Sequence, residues 1–183
     1  MPGIINFIAF YIGWFACVGG AARGWLWLGP LVVGGLLTLH LIVAREPRRE
    51  ARLILAAGML GWLVDTAQAS ADVFSFGNHS FAPWLCPPWM VALWMNFATT
   101  LNSSMGWLSG RYLLGLMIGA ISGPLSYYYG ERLGAIEFHH NLALSLVAIA
   151  VSWGTALPLL LRLAAVLTRK PIAVVSQCAA RGE

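Results

Sequence analysis

Charged side chains are scarce in this chain. Of its 183 residues, 10% are charged and 59% are hydrophobic, whereas soluble domains carry about a quarter charged residues. Together with a mean hydropathy of +0.74, this scarcity excludes a soluble core and indicates an integral membrane protein. The net charge of +4 comes from residues whose positions suit a topological role, so we expect no nucleic-acid partner.

Cysteine is equally sparse, with three residues in the whole chain. Cys17, Cys86 and Cys178 share no metal-ligand spacing, and we expect them at different depths. This excludes a disulfide framework and a cysteine-based metal site. We expect neither a bound metal nor a cofactor.

Basic residues are absent before the first apolar run, residues 4–22. A secretory signal peptide normally begins with such residues, so we expect this run to be retained as a membrane span. Further apolar runs lie at residues 25–44, 53–74, 89–108, 112–128 and 141–165. We predict an all-α polytopic membrane protein, a single bundle of six transmembrane helices over residues 1–170 with a short cytoplasmic tail at 171–183.

The basic residues predict the orientation of these spans. With six spans, the loop at 45–52, the connector at Arg111 and both termini share one side of the membrane. That side holds Arg45, Arg48, Arg49, Arg52, Arg111, Arg162, Arg169, Lys170 and Arg181, and the other side holds Arg23 and Arg132. By the positive-inside rule, both termini are predicted to be cytoplasmic.

The fourth run, 89–108, combines the length of a membrane span with a polar face. As a helix, its roughly twenty residues would be ~30 Å long, the thickness of the hydrocarbon core. Several of its polar side chains fall on one face of such a helix, namely Asn96, Thr99, Thr100, Ser103 and Ser104. Unpaired amides and hydroxyls are costly in hydrocarbon. We therefore predict that this face meets other helices, a bound molecule or water.

An acidic residue, Asp65, lies near the middle of the third run, on one face with Gly58, Gly61, Gln68 and Asp72. Residue counting places it at the depth of Asn96, so we expect the two polar faces to meet. A carboxylate in mid-membrane suggests a proton relay, a cation site or a general base. Alternatively, Asp65 accepts hydrogen bonds from Asn96, Thr99 or Thr100 and only clamps two helices.

A serine and a histidine at similar depth offer a second possible chemistry. Ser104 and His40 could form a nucleophile and base. However, Asp65 would lie about 10 Å too high to orient His40, and the chain contains no Gly-x-Ser-x-Gly elbow. We favour a structural role for His40.

Titratable residues also collect at the predicted outer end: Asp72, His79, Glu131, Arg132, Glu137, His139 and His140. Such a cluster could hold zinc or sense pH. Because Glu137-x-His139-His140 matches no zinc motif, we favour a solvated rim at the level of the lipid headgroups.

Glycines at a spacing of four, Gly115, Gly119 and Gly123, form the small-residue pattern that lets membrane helices pack closely. The pattern leaves open whether they join helices within the bundle or between subunits. The last run also places small polar residues on one face, Asn141, Ser145, Ser152 and Thr155, which we expect to point inward.

Residues 88–135 carry a specific pattern. It comprises Pro88-Trp89-Met90-x-x-Leu93-Trp94-x-x-Phe97-Ala98-Thr99-Thr100-Leu101-Asn102-x-Ser104-x-x-Trp107-Leu108, then Gly119-Ala120-x-x-Gly123-Pro124-Leu125-x-Tyr127 and Gly130-x-Arg132-Leu133-Gly134-Ala135. The chain resembles a bacterial inner-membrane family catalogued as domain of unknown function 2878. The third span of that family has a pattern that is similar to Asp65, Phe74 and Phe76 of this chain. The resemblance implies a small multi-pass protein of the bacterial inner membrane, and it implies no activity, cofactor or catalytic residue.

The leading functional hypothesis is a non-enzymatic protein that binds or moves a lipid or small solute. The cleft is expected between the third, fourth and last spans. Its expected ligand-binding residues are Asp65, Gln68, Asn96, Thr99, Thr100 and Ser103, with Asp65 as the charged centre. Two alternatives stay open: an intramembrane enzyme that modifies a lipid by acid/base chemistry, and a structural subunit that forms a homo-oligomer or joins a membrane partner.

Overall fold

The computed structural model describes residues 3–77, 82–139 and 141–168. They form six α-helices: α1 Gly3–Ala22, α2 Leu28–Val43, α3 Pro47–Ser70, α4 Pro88–Leu101, α5 Tyr112–Arg132 and α6 Leu142–Thr168. A short 3₁₀ turn covers Gly106–Leu108. Within these ranges, the strand-like pairing is limited to an isolated bridge between Ser75 and Glu137. The all-helical class is therefore confirmed, while the predicted tail at 171–183 lies outside the described residues.

Three of these helices are long and apolar enough to cross a membrane: α1, α3 and residues Leu142–Leu167 of α6. The apolar helix α2 has 16 residues, which is ~24 Å and shorter than the hydrocarbon core. The protein is thus an all-helical chain with three candidate membrane spans, a composition that indicates membrane association.

Consecutive helices pack as three hairpins, α1 with α2, α3 with α4, and α5 with α6. Helix α4 also contacts α1, α2 and α6, so it occupies the centre of the bundle. With 14 residues it is the shortest helix, about 21 Å long. This short helix is therefore surrounded by other helices of the bundle.

The end of α4 differs from the sequence prediction. We expected a helix to Leu108, but α4 ends at Leu101, and Asn102 to Met105 form turns before the 3₁₀ segment. The Thr100 carbonyl accepts hydrogen bonds from the backbone N–H groups of Ser103 and Met105. Asn and Ser disfavour the helix interior because they form local hydrogen bonds, and the run Asn102-Ser103-Ser104 stops the helix here.

Hydrogen bonds show which connections share an end of the bundle. At one end, the Asn102 amide donates to Glu50 of α3 over 3.0 Å, and Ser104 donates to Asn6 of α1 over 2.9 Å. At the other end, Ser75 and Glu137 pair through their backbones. The start of α1 and the α4–α5 link therefore lie at one end, and the α3–α4 and α5–α6 links lie at the other.

The segment after α3 folds back onto the bundle. Asp72 adopts a left-handed conformation with φ of 58°, and the N–H of Val73 bonds to the Gln68 carbonyl over 3.0 Å, an arrangement typical of helix ends. The chain then turns inward, and Phe74 and Phe76 become fully or nearly fully buried. This exposed aspartate therefore terminates α3, and the two phenylalanines close the end of the bundle.

The small-residue face of α5 packs within the bundle. Gly115 faces Leu161, Gly119 faces the Trp153 carbonyl, and Gly123 faces the Trp153 indole. All three glycines are buried, so this face joins α5 to α6 of the same chain. The alternative that it joins subunits is not needed to explain the pattern.

We expect Gly119→Ala to destabilise the protein, because the added methyl group would overlap the backbone carbonyl of Trp153, which cannot move aside. Overpacking of this kind costs about 1–3 kcal/mol. Gly35→Ala is the matched control, since no atom lies within 4 Å of its added methyl group apart from its chain neighbours and the backbone of its own helix. Thermal unfolding in detergent should show a lower Tm for Gly119→Ala alone. Equal Tm values would contradict the α5–α6 packing.

Candidate functional site

Asp65 lies at the meeting point of three helices and has no exposed surface. Its Oδ2 accepts a hydrogen bond from Trp94 Nε1 of α4 over 2.8 Å, and its Oδ1 accepts one from the Tyr127 hydroxyl of α5 over 2.5 Å. Within the described residues no Lys, Arg or His forms an ion pair with it. The carboxyl group therefore ties α3, α4 and α5 together through hydrogen bonds alone.

Two glycines make room for the rings around this carboxyl group. Gly61 lies one helical turn before Asp65, and a side chain there would overlap the Trp94 indole. Gly123 lies one turn before Tyr127, and a side chain there would overlap the Trp153 indole. The two indoles stack with ring centres 4.3 Å apart and planes 18° apart. This stack fixes the direction of the Trp94 N–H toward Asp65.

The expected partners of Asp65 bond elsewhere, so the prediction that the two polar faces meet is wrong. Asn96 donates to the Phe10 carbonyl of α1 over 2.9 Å. Thr99 donates to the Asn96 carbonyl over 2.8 Å, and Thr100 donates to the Phe97 carbonyl over 2.7 Å. Because Trp94 and Asn96 are two residues apart, they point about 200° apart on the helix. Trp94 therefore faces α3, and Asn96 faces α1.

Neutral groups join α1 to α4. The Asn6 side-chain N–H donates to Thr99 Oγ1 over 3.2 Å, and Asn6 Oδ1 accepts from Ser104. Ser103, the remaining residue of the predicted polar face, lies half-buried in the turn after α4. Of the predicted polar face, Asn96, Thr99 and Ser104 therefore bond to α1.

His40 and Ser104 do not form the nucleophile and base pair considered from the sequence. His40 Nε2 lies 3.3 Å from Glu50 Oε2, whereas the Ser104 hydroxyl bonds to Asn6. The same Glu50 carboxylate accepts from Asn102. This cluster links α2, α3 and the end of α4, which agrees with a structural role for His40.

Gln68 lies three residues after Asp65 and is buried. Neither its amide nitrogen nor its amide oxygen has a hydrogen-bond partner in the part of the chain that the structure describes. A buried amide normally finds partners. Gln68 therefore has unused hydrogen-bonding capacity one turn away from Asp65.

The predicted outer rim is spread over the surface. Asp72, Arg132, Glu137 and His139 are exposed. Across residues 3–77, 82–139 and 141–168, no group of three His, Cys, Asp or Glu side chains could hold a metal ion. His79 and His140 lie outside these ranges.

A crevice of about 40 Å³ opens beside the two donors to Asp65. Its walls come from α1, α4, α5 and α6 and are largely aromatic: Phe10, Trp14, Trp89, Trp94, Tyr127 and Trp153. Room for a water molecule requires about 10–15 Å³, so the crevice can admit a small group. Asp65 lies directly behind its Trp94 and Tyr127 wall.

A wider groove of about 630 Å³ runs between α2, α3 and α4. Its walls, which include Val33, Leu37, Trp62 and Met95, are mostly apolar. This groove is larger than the crevice but touches neither Asp65 nor its donors, so we place the candidate site at the crevice.

Sequence reasoning missed Trp94 and Tyr127 as the partners of Asp65. Tyr127 lies close in sequence to the predicted outer rim, yet it is 4% exposed. One signal was available, because buried Trp and Tyr usually direct their N–H or O–H to an acceptor. Gly61 and Gly123 also mark the places where large rings needed space.

A family model described as "Protein of unknown function (DUF2878)" matches residues 3–159. The matched range includes Asp65, Trp94, Tyr127 and Trp153. No curated protein and no solved structure matches the chain at a significant level.

Removing the hydroxyl of Tyr127 should destabilise the protein. Tyr127→Phe leaves Asp65 Oδ1 without its donor, at an expected cost of about 1–2 kcal/mol. Tyr129→Phe is the matched control, because Tyr129 lies on the same helix and is 57% exposed. Unfolding in detergent, followed by tryptophan fluorescence, measures both. If the two variants are equally stable, the Tyr127 to Asp65 bond is not part of the core.

Proposed function

The chain belongs to this family of proteins of unknown function, and from that premise we propose that it binds a lipid or small solute inside the membrane, in the crevice beside Asp65. The proposal rests on the Asp65 carboxyl group, which is fully buried. The two residues that donate hydrogen bonds to it, Trp94 and Tyr127, both line the crevice. An acidic residue within the membrane is costly and usually serves a function.

The contact between α1 and α4 supports a role for Asp65 beyond holding helices together. Helices α1 and α4 are tied by Asn6, Thr99 and Ser104, all of them uncharged. A clamp between α3 and α4 could be built from the same groups without an ionisable side chain. An acid at this position therefore suggests that its chemistry is used.

In this proposal Asp65 orients the crevice walls. It fixes the Trp94 N–H and the Tyr127 O–H, and it can exchange one of these bonds for a bond to a ligand. Both amide atoms of Gln68 lack a partner within the described residues. Gln68 can therefore form a hydrogen bond to the ligand if the side chains of the site rearrange. Asn96 and Thr99 act at a distance, by holding α1 against α4. Thr100 bonds within its own helix, and Ser103 lies in the turn after it.

We further propose that all six helices span a bacterial inner membrane with both termini in the cytoplasm. The basic residues support this arrangement, because Arg45, Arg48, Arg52 and Arg111 lie at the end of the bundle that also holds the start of α1. Helix α4 crosses the centre with its ends embedded in protein.

Replacing Asp65 tests the proposed site. We expect a lipid or small molecule to co-purify with the wild-type protein and to be depleted about tenfold in Asp65→Asn. The Asn NH₂ group cannot accept the hydrogen bonds that order the crevice walls, and a buried donor left unpaired costs about 1–3 kcal/mol. Mass spectrometry of extracts from the purified protein measures this depletion.

Asp72→Asn is the matched control, because it makes the same chemical change at an exposed position and Asn tolerates the left-handed backbone found there. It should retain the ligand. Identical lipid and ligand profiles for wild type and Asp65→Asn would reduce Asp65 to a helix clamp and end the proposal.

Thiol labelling of single cysteines tests the membrane arrangement. In a Cys178→Ser background, Trp84→Cys should react with a membrane-impermeant maleimide in intact spheroplasts, whereas Arg48→Cys should react only after the membrane is opened. The native Cys17 and Cys86 are buried, and burial raises the pKa of the Cys86 thiol, which keeps it protonated and unreactive. Labelling of Arg48→Cys in intact spheroplasts would contradict cytoplasmic termini.

A further inference from the structure

Two exposed arginines, Arg48 and Arg52, lie on the first turns of α3. They are four residues apart, so they are neighbours on one face of the helix. Neither forms an ion pair within the described residues. Both lie at the end of the bundle that also holds the start of α1, which we call the inner end. This face of α3 therefore presents two adjacent guanidinium groups that can hold an anion.

The acidic residues beside these arginines are engaged by other groups. Glu46 lies 3.7 Å from Arg49. Glu50 lies 3.3 Å from His40 of α2 and accepts a hydrogen bond from Asn102 over 3.0 Å. The two exposed arginines therefore keep their positive charge for a molecule outside the described chain.

Beyond the arginines, the same face of α3 is apolar and exposed. Leu55 and Met59 follow Arg52 at spacings of three and four residues, and both are largely exposed. Trp62 comes next on this face, and it lines the wide groove between α2, α3 and α4. The face therefore runs from two positive charges along apolar side chains to a groove.

The groove begins at about the depth of Arg52. Leu37 of α2 and Met95 of α4 line it, and each lies six residues from the inner end of its helix, about 9 Å. Arg52 is five residues from the start of α3, about 8 Å. From Arg52 to Trp62 the helix rises about 15 Å, half of the ~30 Å hydrocarbon core. An acyl chain of one leaflet can therefore reach from a headgroup at Arg52 to Trp62.

The size and polarity of the groove suit an acyl chain. None of the residues that line it is charged. Its volume of about 630 Å³ equals that of roughly twenty water molecules in the liquid, which is enough for the methylene groups of one chain. Helix α2 packs on α1 and α4 and only weakly on α3, so the groove separates α2 from α3.

We propose that this surface binds an anionic phospholipid of the inner leaflet, with its phosphate on Arg48 and Arg52 and one acyl chain in the groove. Arginine suits this role because its fork of N–H donors matches phosphate oxygens. The inference rests on the membrane arrangement under the proposed function, which places the inner end at the cytoplasmic face. It adds a second lipid site, separate from the crevice beside Asp65.

The arginines could instead serve only to orient the chain in the membrane. That role depends on how many basic residues lie near the ends of the spans, and it sets no condition on the face of the helix that carries them. Arg48 and Arg52 share their face with exposed apolar residues and with a wall of the groove. This combination of charge and groove favours a bound lipid.

Native mass spectrometry of the full-length protein in detergent tests the headgroup with three probes. The probes are dioleoylphosphatidylglycerol, dioleoylphosphatidylcholine and glycerol 3-phosphate. We expect the phosphatidylglycerol to bind at least about fivefold more tightly than the phosphatidylcholine, and glycerol 3-phosphate not to bind measurably. Equal affinities for the two lipids would overturn the inference, and so would binding of glycerol 3-phosphate as tight as that of the phosphatidylglycerol.

Charge-neutralising variants test the two arginines. Arg48→Gln and Arg52→Gln should each weaken phosphatidylglycerol binding about fivefold, the effect of one basic residue close to an anionic headgroup. The double variant is compared with Arg111→Gln/Arg162→Gln, which removes the same charge from exposed positions on other segments. Equal affinities of the two double variants would overturn the assignment of the headgroup site.

Photo-cross-linking tests the position of the acyl chain. Phosphatidylglycerol with a diazirine near the end of one chain should cross-link to peptides that contain Trp62 or residues 88–95. Gly34→Leu should lower this yield, because Gly34 lines the groove and has open space beside it. Gly35→Leu is the matched control, since Gly35 also has open space but does not line the groove. Cross-links confined to α1 and α5 would overturn the groove assignment.

The two lipid proposals can fail separately. Asp65→Asn should retain phosphatidylglycerol even where it loses the ligand of the crevice. If Asp65→Asn loses no ligand but the arginine variants lose phosphatidylglycerol, the crevice function is wrong and the groove site stands. If phosphatidylglycerol is lost in Asp65→Asn and retained in the arginine variants, the lipid belongs to the crevice and the groove site is wrong.

Discussion

The hydrogen bonds that satisfy the Asp65 carboxyl group are the constraint on which this bundle depends. A carboxyl group without exposed surface must have partners, and each of its oxygens has one, from α4 and from α5. The Trp94 indole could not take this position without glycines that leave space for large rings. Gly61 admits the Trp94 indole, and Gly123 admits Trp153, on which Trp94 stacks. The packing of four helices follows from where these rings lie.

The bundle uses two kinds of polar contact between its helices. Amides and hydroxyls tie α1 to α4, whereas a carboxyl group ties α3 to α4 and α5. The first kind leaves Asn6, Asn96 and Thr99 with partners inside the bundle. The second kind borders the crevice, because Trp94 and Tyr127, the two donors to Asp65, both line it. Only the second kind of contact therefore places its donor residues at this cavity.

The helical class, the buried position of Asp65 and the inward-facing polar stripe of α4 could be read from the sequence, because hydrophobic runs and the cost of polar groups in lipid determine them. The family resemblance to DUF2878 was confirmed by the match over residues 3–159. The partners of Asp65 could not be read in the same way. Residue counting placed Asn96 at the depth of Asp65. However, Trp94 and Asn96 are two residues apart and point to different neighbouring helices. Only the packed bundle shows that Trp94 is the one that faces α3.

Helix packing and the shape of the crevice are linked in this arrangement, because the same rings serve both. Trp153 stacks on Trp94, which donates to Asp65, and both indoles line the crevice. On the proposed function, a molecule in the crevice binds the folded bundle and not the unfolded chain, so it stabilises the fold by mass action. Its contact with the stacked indoles also bears on the orientation of the Trp94 N–H. The carboxyl group therefore connects the packing of the helices to the walls of the crevice.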